Sequence, residues 1–189
     1  HDAIAGGDLP PIKFNQCFFV LAAKPSKDVE SVRVTRTALE MRALAIKNCD
    51  NKLVGGLTTD LIAAPLSDNL CDIQNGFTRN RQLTHNIIDI DGHARLHGKA
   101  ELFDFYPGIA LWDFETFETA FNSVAHSWLF ECCSVSVLSQ WVLNIIRGIY
   151  HLASVVSSEG RFLFALLRGV LQGCPLSGAL FAIILDPAL

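Results

Sequence analysis

The sequence predicts an α+β fold, and three observations carry that prediction. Residues 14–23 form a short apolar run with aromatic and β-branched members, as a strand does, whereas Leu138, Val142, Ile145, Ile146 and Ile149 recur at helical spacing. Ser158-Glu159-Gly160 separates two further short runs, 154–157 and 161–166, in the manner of a β-hairpin. Near the end, Gly169 and Gly173 bracket a glutamine, and Pro175 then opens the apolar stretch Leu176–Leu185. Proline suits the first turn of a helix, where its missing N–H is no loss.

The elements follow in chain order. Residues 1–12, with Gly6, Gly7, Pro10 and Pro11, read as a flexible lead-in. The strand 14–23 ends at a basic turn, Lys24-Pro25-Ser26-Lys27. Asn48, Asp50 and Lys52 suit a polar turn into a helix over 53–66. Gly55-Gly56 should interrupt that helix, because each glycine costs about 1 kcal/mol relative to alanine. A loop carrying Arg79 and Arg81 precedes a helix from about 82 to 96. Residues 109–112 read as a strand ending at Asp113, and a helix should run on through 125–133. The helix 138–149 and the hairpin deliver the chain to the glycine loop. The last helix is apolar on nearly every face and needs partners all round. It should stop at Asp186-Pro187, since proline disfavours helix in the residue before it.

The chain has 189 residues, half of them apolar, enough for one domain or two small ones. Its apolar run near the end, 179–185, is too short to span a bilayer, so no membrane partner is expected. The N-terminus shows no basic segment followed by an apolar one, so the protein is expected to be intracellular, nuclear or cytoplasmic, and not secreted. It also lacks an initiating Met, which points to a fragment or an incomplete gene model. Six cysteines include no C-x-x-C pair, which favours reduced thiols over a disulfide framework or a zinc site. His85/Asp89 and His93/His97 are spaced for one helix face, but no third ligand joins them, and a solvated polar face is the simpler reading. Residues 13–100 carry 12 Lys/Arg against 9 Asp/Glu, and residues 101–189 carry 3 against 8. A mildly basic half followed by an acidic one suits a phosphate-facing region joined to a metal-facing one, and equally an ordinary solvated surface.

The string Arg168-Gly169-Val170-Leu171-Gln172-Gly173-Cys174-Pro175-Leu176-Ser177-Gly178 has the most specific chemistry. Its glycines suit a sharp bend or the approach of another molecule to the backbone, and Gln172 presents both a donor and an acceptor. Cys174 invites a second reading as a nucleophile with His126 or His151, although such local cysteine signatures do not transfer between families. The string resembles motif B of the reverse transcriptases of non-LTR retrotransposons, of the form R-G-V-x-Q-G-C-P-L-S. Two further segments resemble the same family. Arg42, Leu44, Asn48, Asp50 and Lys52 match its fingers motif R-P-L-S-L-x-N-x-D-x-K, with Ala43 for proline and Ala45 for serine. Gln74-Asn75-Gly76-Phe77-Thr78-Arg79-Asn80-Arg81-Gln82 is similar to Q-x-G-F-x-x-G-R-Q, and Asn80 is the best substitute for a glycine at positive φ.

The resemblance implies the fingers (13–100) and part of the palm (101–189) of a right-hand polymerase, stopping before the motif C hairpin. It implies RNA-directed DNA polymerisation by two-metal nucleotidyl transfer with Mg²⁺, an RNA template, a DNA primer and deoxynucleoside triphosphates as partners. By resemblance Asp113 is the catalytic metal ligand of motif A, and Phe121 is the gate that rejects a ribose 2′-hydroxyl. Gln172 and Gly173 face the nucleotide. Arg81, with Arg79 and Lys24, faces phosphates of the nucleotide or template. Motif A departs from its form D-F-x-x-A-F-x-S-V, because the tripeptide Phe-Glu-Thr occurs twice between Asp113 and Ala120. Three extra residues turn a helix by about 300° and advance it about 4.5 Å, which parts Asp113 from Phe121. No Asp-Asp pair of the motif C kind occurs in the sequence. The chain alone is therefore expected to be inactive. The alternatives are a non-catalytic nucleic-acid-binding remnant and a decayed pseudogene product.

Overall fold

A computed structural model describes residues 2–23, 37, 41–98 and 121–188. Their architecture is α+β, as the hydrophobic periods imply. A mixed sheet of four strands has the order β2-β1-β3-β4. β1 (Gln16–Ala23) pairs antiparallel with β2 (Met41–Lys47) and parallel with β3 (Ser154–Val156), and β3 pairs antiparallel with β4 (Phe162–Ala165). The parallel contact, Gln16 to Ser154 and Cys17 to Val155, joins the two halves of the chain in one sheet. One hydrophobic core follows from this, running from Cys17 through Leu129 and Ile146 to Ile184.

The helices share one core with the sheet residues Cys17, Ala45 and Val155, while Phe18, Val20 and Ile46 stay exposed. The short α1 (Asp2–Ala5) lies in what sequence suggested was a flexible lead-in, and it packs against α5 (Gln140–Tyr150), where the Asn144 side-chain amide donates to the Ala5 carbonyl at 3.0 Å. A 3₁₀ turn, Ile12–Asn15, leads into β1. α2 (Cys49–Asn69) starts at Asn48, whose side chain accepts from the Asn51 N–H at 2.8 Å and so satisfies one of the orphan donors of a helix start. The polar turn expected there is thus an N-cap.

Gly55-Gly56 does not interrupt α2. Gly55 is buried where the helix meets the glycine loop: a Cβ built there would lie 3.5 Å from the Cys174 sulfur and 3.8 Å from Pro175. Packing against the loop outweighs the weak intrinsic preference. α3 (Leu83–Gly98) forms as the spacing suggests and buries none of its residues. The helix expected to continue through 125–133 is broken. Residues 121–123 make a helical turn, Ala125 pairs with Arg168 in an isolated bridge, and α4 (His126–Val135) begins afresh. The backbone of 121–125 serves the glycine loop instead of a helix ladder.

The hairpin turn closes through Ser157, whose N–H donates to Arg161 and whose carbonyl accepts from Gly160, both at 2.8 Å. The final helix α6 (Ser177–Leu185) is buried on all sides, with Leu180, Phe181, Ala182, Ile183 and Ile184 all in the core. Its partners are α2, α4 and a second 3₁₀ turn, Asp186–Ala188. Exposed apolar surface falls elsewhere, on the sheet and on α3. Among the described residues no helix is long and apolar enough to cross a membrane.

Candidate functional site

The glycine loop is set by its backbone. Gly169 and Gly173 have φ of +93° and +98°, conformations that L side chains rarely adopt. Each also lies against another strand of backbone. A Cβ on Gly169 would come within 2.9 Å of the Asn122 carbonyl oxygen, and one on Gly173 within 2.8 Å of the Ala45 carbonyl oxygen. Where the sequence suggests a sharp bend or room for another molecule, the chain's own backbone makes the close approach.

Hydrogen bonds pin the loop on both sides. Ala45 of β2 donates its N–H to the Gln172 carbonyl at 2.9 Å. Val170 donates to Phe121 at 2.6 Å and Gly169 to Val124 at 2.7 Å. Within the loop, the Cys174 N–H and the Ser177 hydroxyl both donate to the Leu171 carbonyl, at 3.1 and 2.6 Å. The His126 Nε2 donates to the Gly169 carbonyl at 3.1 Å, which sets the neutral tautomer with its proton on Nε2. Burial lowers the His126 pKa, and that hydrogen bond raises it in part. The loop thus holds the Gln172 side chain half-buried at its crest, with Gly173 and Pro175 exposed beside it. The Cys174 thiol is buried, and no histidine hydrogen-bonds to it among the described residues, so the arrangement is not that of a cysteine nucleophile and its base.

The segment 74–82 reaches this loop from the other side. Phe77, at φ +56°, lies so close to α6 that a Cβ on Gly178 would be 2.8 Å from its Cδ1. Its ring is edge-on to Phe121, with centroids 6.0 Å apart. Phe121 is only 7% exposed and stacks on Phe181 at 4.1 Å. Asn80 takes φ +62°, as its place in the turn requires. Arg79 is exposed and lines a cleft of about 770 Å³ with Phe77, Thr78, Thr59, Asp60 and Ala179. Arg81 lies differently: its guanidinium donates to the carbonyls of Ser67, Leu70, Cys71 and Gln74.

Of the residues nominated from sequence, Gln172, Gly173, Phe121, Arg79 and Arg81 are described, and Lys24 and Asp113 lie outside the described residues. The repeated Phe-Glu-Thr of motif A also lies outside them. Among the described residues no group of three or more His, Cys, Asp or Glu is placed to hold a metal ion. The three segments singled out by motif do meet: Ala45 of 42–52 and Phe77 of 74–82 both touch residues 172–178, as does Gly55 of α2.

Sequence reasoning missed Lys47. Its side chain is 4% exposed, with Nζ 3.5 Å from the Ile149 carbonyl and 5.8 Å from the centre of the Tyr150 ring. Burial pushes the amine's pKa down, and the nearby thiols Cys174 and Cys17 raise it in part. The signal was present in the alternation of β2, where Ala45 and Lys47 share the inward face. Tyr150 is buried beside it. Burial raises the phenol's pKa strongly, and although the Leu171 backbone and the Ser177 hydroxyl lower it in part, its oxygen reaches hydrogen-bond geometry with neither. No protein-family model matches the chain.

Proposed function

We propose that this chain is the fingers and the first part of the palm of a non-LTR retrotransposon reverse transcriptase, presenting the glycine loop and Arg79 to nucleotide and template. What carries this reading is convergence. Segments 42–52, 74–82 and 168–178, each nominated for its likeness to one family, meet there: the Ala45 backbone packs on Gly173 and the Phe77 ring on Gly178. Nothing in their separate local propensities requires them to meet. In this reading Gln172 faces the incoming nucleotide or the template base with its amide, and Arg79 faces a phosphate. Guanidinium forks suit phosphate oxygens, and exposed aromatic faces suit unstacked bases. When bound, Mg²⁺ would activate the attacking 3′-oxygen and stabilise the leaving pyrophosphate, and the resemblance assigns its holding to Asp113. Because the sequence contains no Asp-Asp pair, this chain alone contributes binding and not turnover.

Phe121 favours a second reading, that of a nucleic-acid-binding remnant without catalysis. With one ring face against Phe181 and an edge contact to Phe77, it is packed as core, which supports binding without a sugar gate.

The test is fluorescence anisotropy with a labelled RNA template–DNA primer across a salt series. Binding should weaken with salt, with log K falling by about 0.7–0.9 per phosphate contact for each tenfold rise in salt. Gln172→Ala should weaken binding at fixed salt. No binding at low salt would end both readings. Template-dependent primer extension by the chain alone would overturn its assignment as a binding fragment.

A further inference from the structure

We propose that Arg81 is a positioning residue: its guanidinium latches the loop 71–80 onto the C-terminus of α2 and so holds Phe77 and Arg79 at the cleft, without itself meeting a phosphate. The last carbonyls of a helix have no intrahelical partner, and the helix dipole favours a cation there. Arg81 answers both needs. Nη2 donates to Ser67, in the last turn of α2, and at 3.1 Å to Leu70, its C-cap. Nη1 donates to Cys71 at 2.5 Å and to Gln74 at 3.2 Å, inside the loop. One planar fork thus ties the helix end to the loop, and Asp72 adds a longer ion pair at 3.9 Å. The side chain is only 16% exposed. A phosphate would have to displace these carbonyls to reach it.

The latch has something to hold. Phe77 and Asn80 both sit at positive φ, which is unfavourable for L residues and persists only where surrounding contacts enforce it. The Thr78 hydroxyl bonds to the carbonyls of Gln74 and Gly76, and the Ser67 hydroxyl donates to the Arg79 carbonyl at 2.9 Å. These bonds shape the turn, but of them only the Ser67 bond reaches α2. Arg81 adds attachment at Ser67 and Leu70. Through Phe77, the position of this loop is passed to Gly178 and Phe121 beside the glycine loop.

What Arg79 touches rests on the proposed nucleic-acid reading, whereas the latch does not. Hydrogen exchange on the free protein tests the latch. In Arg81→Ala, the amides of Gln74 and Asn75, bonded to Cys71 and Ile73, should exchange at least about tenfold faster while α5 and α6 keep their protection. Arg81→Lys should behave in the same way, since an ammonium cannot reproduce the fork, and it serves as the measurement if the alanine variant does not fold. Anisotropy with the template–primer tests the consequence. Arg81→Lys should weaken binding despite keeping its charge, and adding it to Arg79→Ala should cost nothing further. Unchanged exchange at Gln74 and Asn75 would overturn the latch. Wild-type affinity in Arg81→Lys, with additive losses for Arg79→Ala and Arg81→Ala, would make Arg81 a direct phosphate contact. If the wild-type chain binds no nucleic acid, the functional reading fails while exchange still decides the latch.

Discussion

The α-carbon of Gly173 faces the carbonyl oxygen of Ala45 so closely that a Cβ would lie 2.8 Å from it. This contact locks the glycine loop to the edge strand of the sheet. The glycines in this protein therefore divide by environment. Gly173→Ala should destabilise the chain by more than the roughly 1–2 kcal/mol of a left-handed backbone alone, because the clash adds to it. Gly56→Ala should stabilise by about 0.5–1 kcal/mol, since a Cβ there meets nothing within 4 Å and the helix gains propensity. Chemical denaturation of the two variants gives the comparison. A loss for Gly173→Ala no larger than that of the left-handed backbone alone would mean that the loop relaxes freely away from β2.

Lys47 is a buried amine, and burial holds its pKa below the usual lysine value. Below that folded value both states are protonated and the full cost of burial is present. Between it and the unfolded value of 10.5, the unfolded chain binds more protons, so stability rises with pH. Lys47→Met should therefore stabilise at neutral pH by on the order of 1 kcal/mol or more. The advantage should shrink as pH rises through that window. A gain that does not vary with pH would show that Lys47 has the same pKa in the folded and unfolded states.

His126 gives a slope at the other end of the scale. Its folded pKa lies below 6.5, so the stability it contributes is present above that value and is lost as pH falls through the folded one. His126→Gln can retain a donor to the Gly169 carbonyl and does not titrate. It should flatten the loss of stability between about pH 6.5 and the folded pKa. Melting curves of the two proteins across this range are the check, and parallel curves would remove His126 as the cause.

The sheet presents paired apolar residues to solvent. Phe18 lies opposite Ile46 and Val20 opposite Leu44, each at least 36% exposed. Contiguous apolar surface of this kind promotes association. The protein should self-associate at rising concentration, and Val20→Thr with Ile46→Thr should reduce this without lowering stability by more than about 1 kcal/mol. Sedimentation velocity measures the first effect and denaturation the second. A monodisperse wild-type monomer at high concentration would contradict the expectation.

Periodicity alone determined the α+β class, the hairpin about Ser158-Glu159-Gly160, the amphipathic α5 and the helix α3 with its solvated polar face. Each depends on residues within a few positions of one another, so a one-dimensional pattern contains the cause. The glycine loop was legible for the same reason, since positive φ and the proline after it are local requirements. The loop's partners were not. Tertiary structure alone decided that Gly55 is a packing site and not a break, that the helix after Phe121 gives way to a bridge with Arg168, and that α6 is covered. It also decided that Arg81 spends its guanidinium on the end of α2, that Phe121 stacks on Phe181, and that Lys47 is sealed beside Tyr150. A side chain's chemistry states what it can bind, but only the path of the whole chain decides which carbonyls, rings and backbone strands arrive within reach of it.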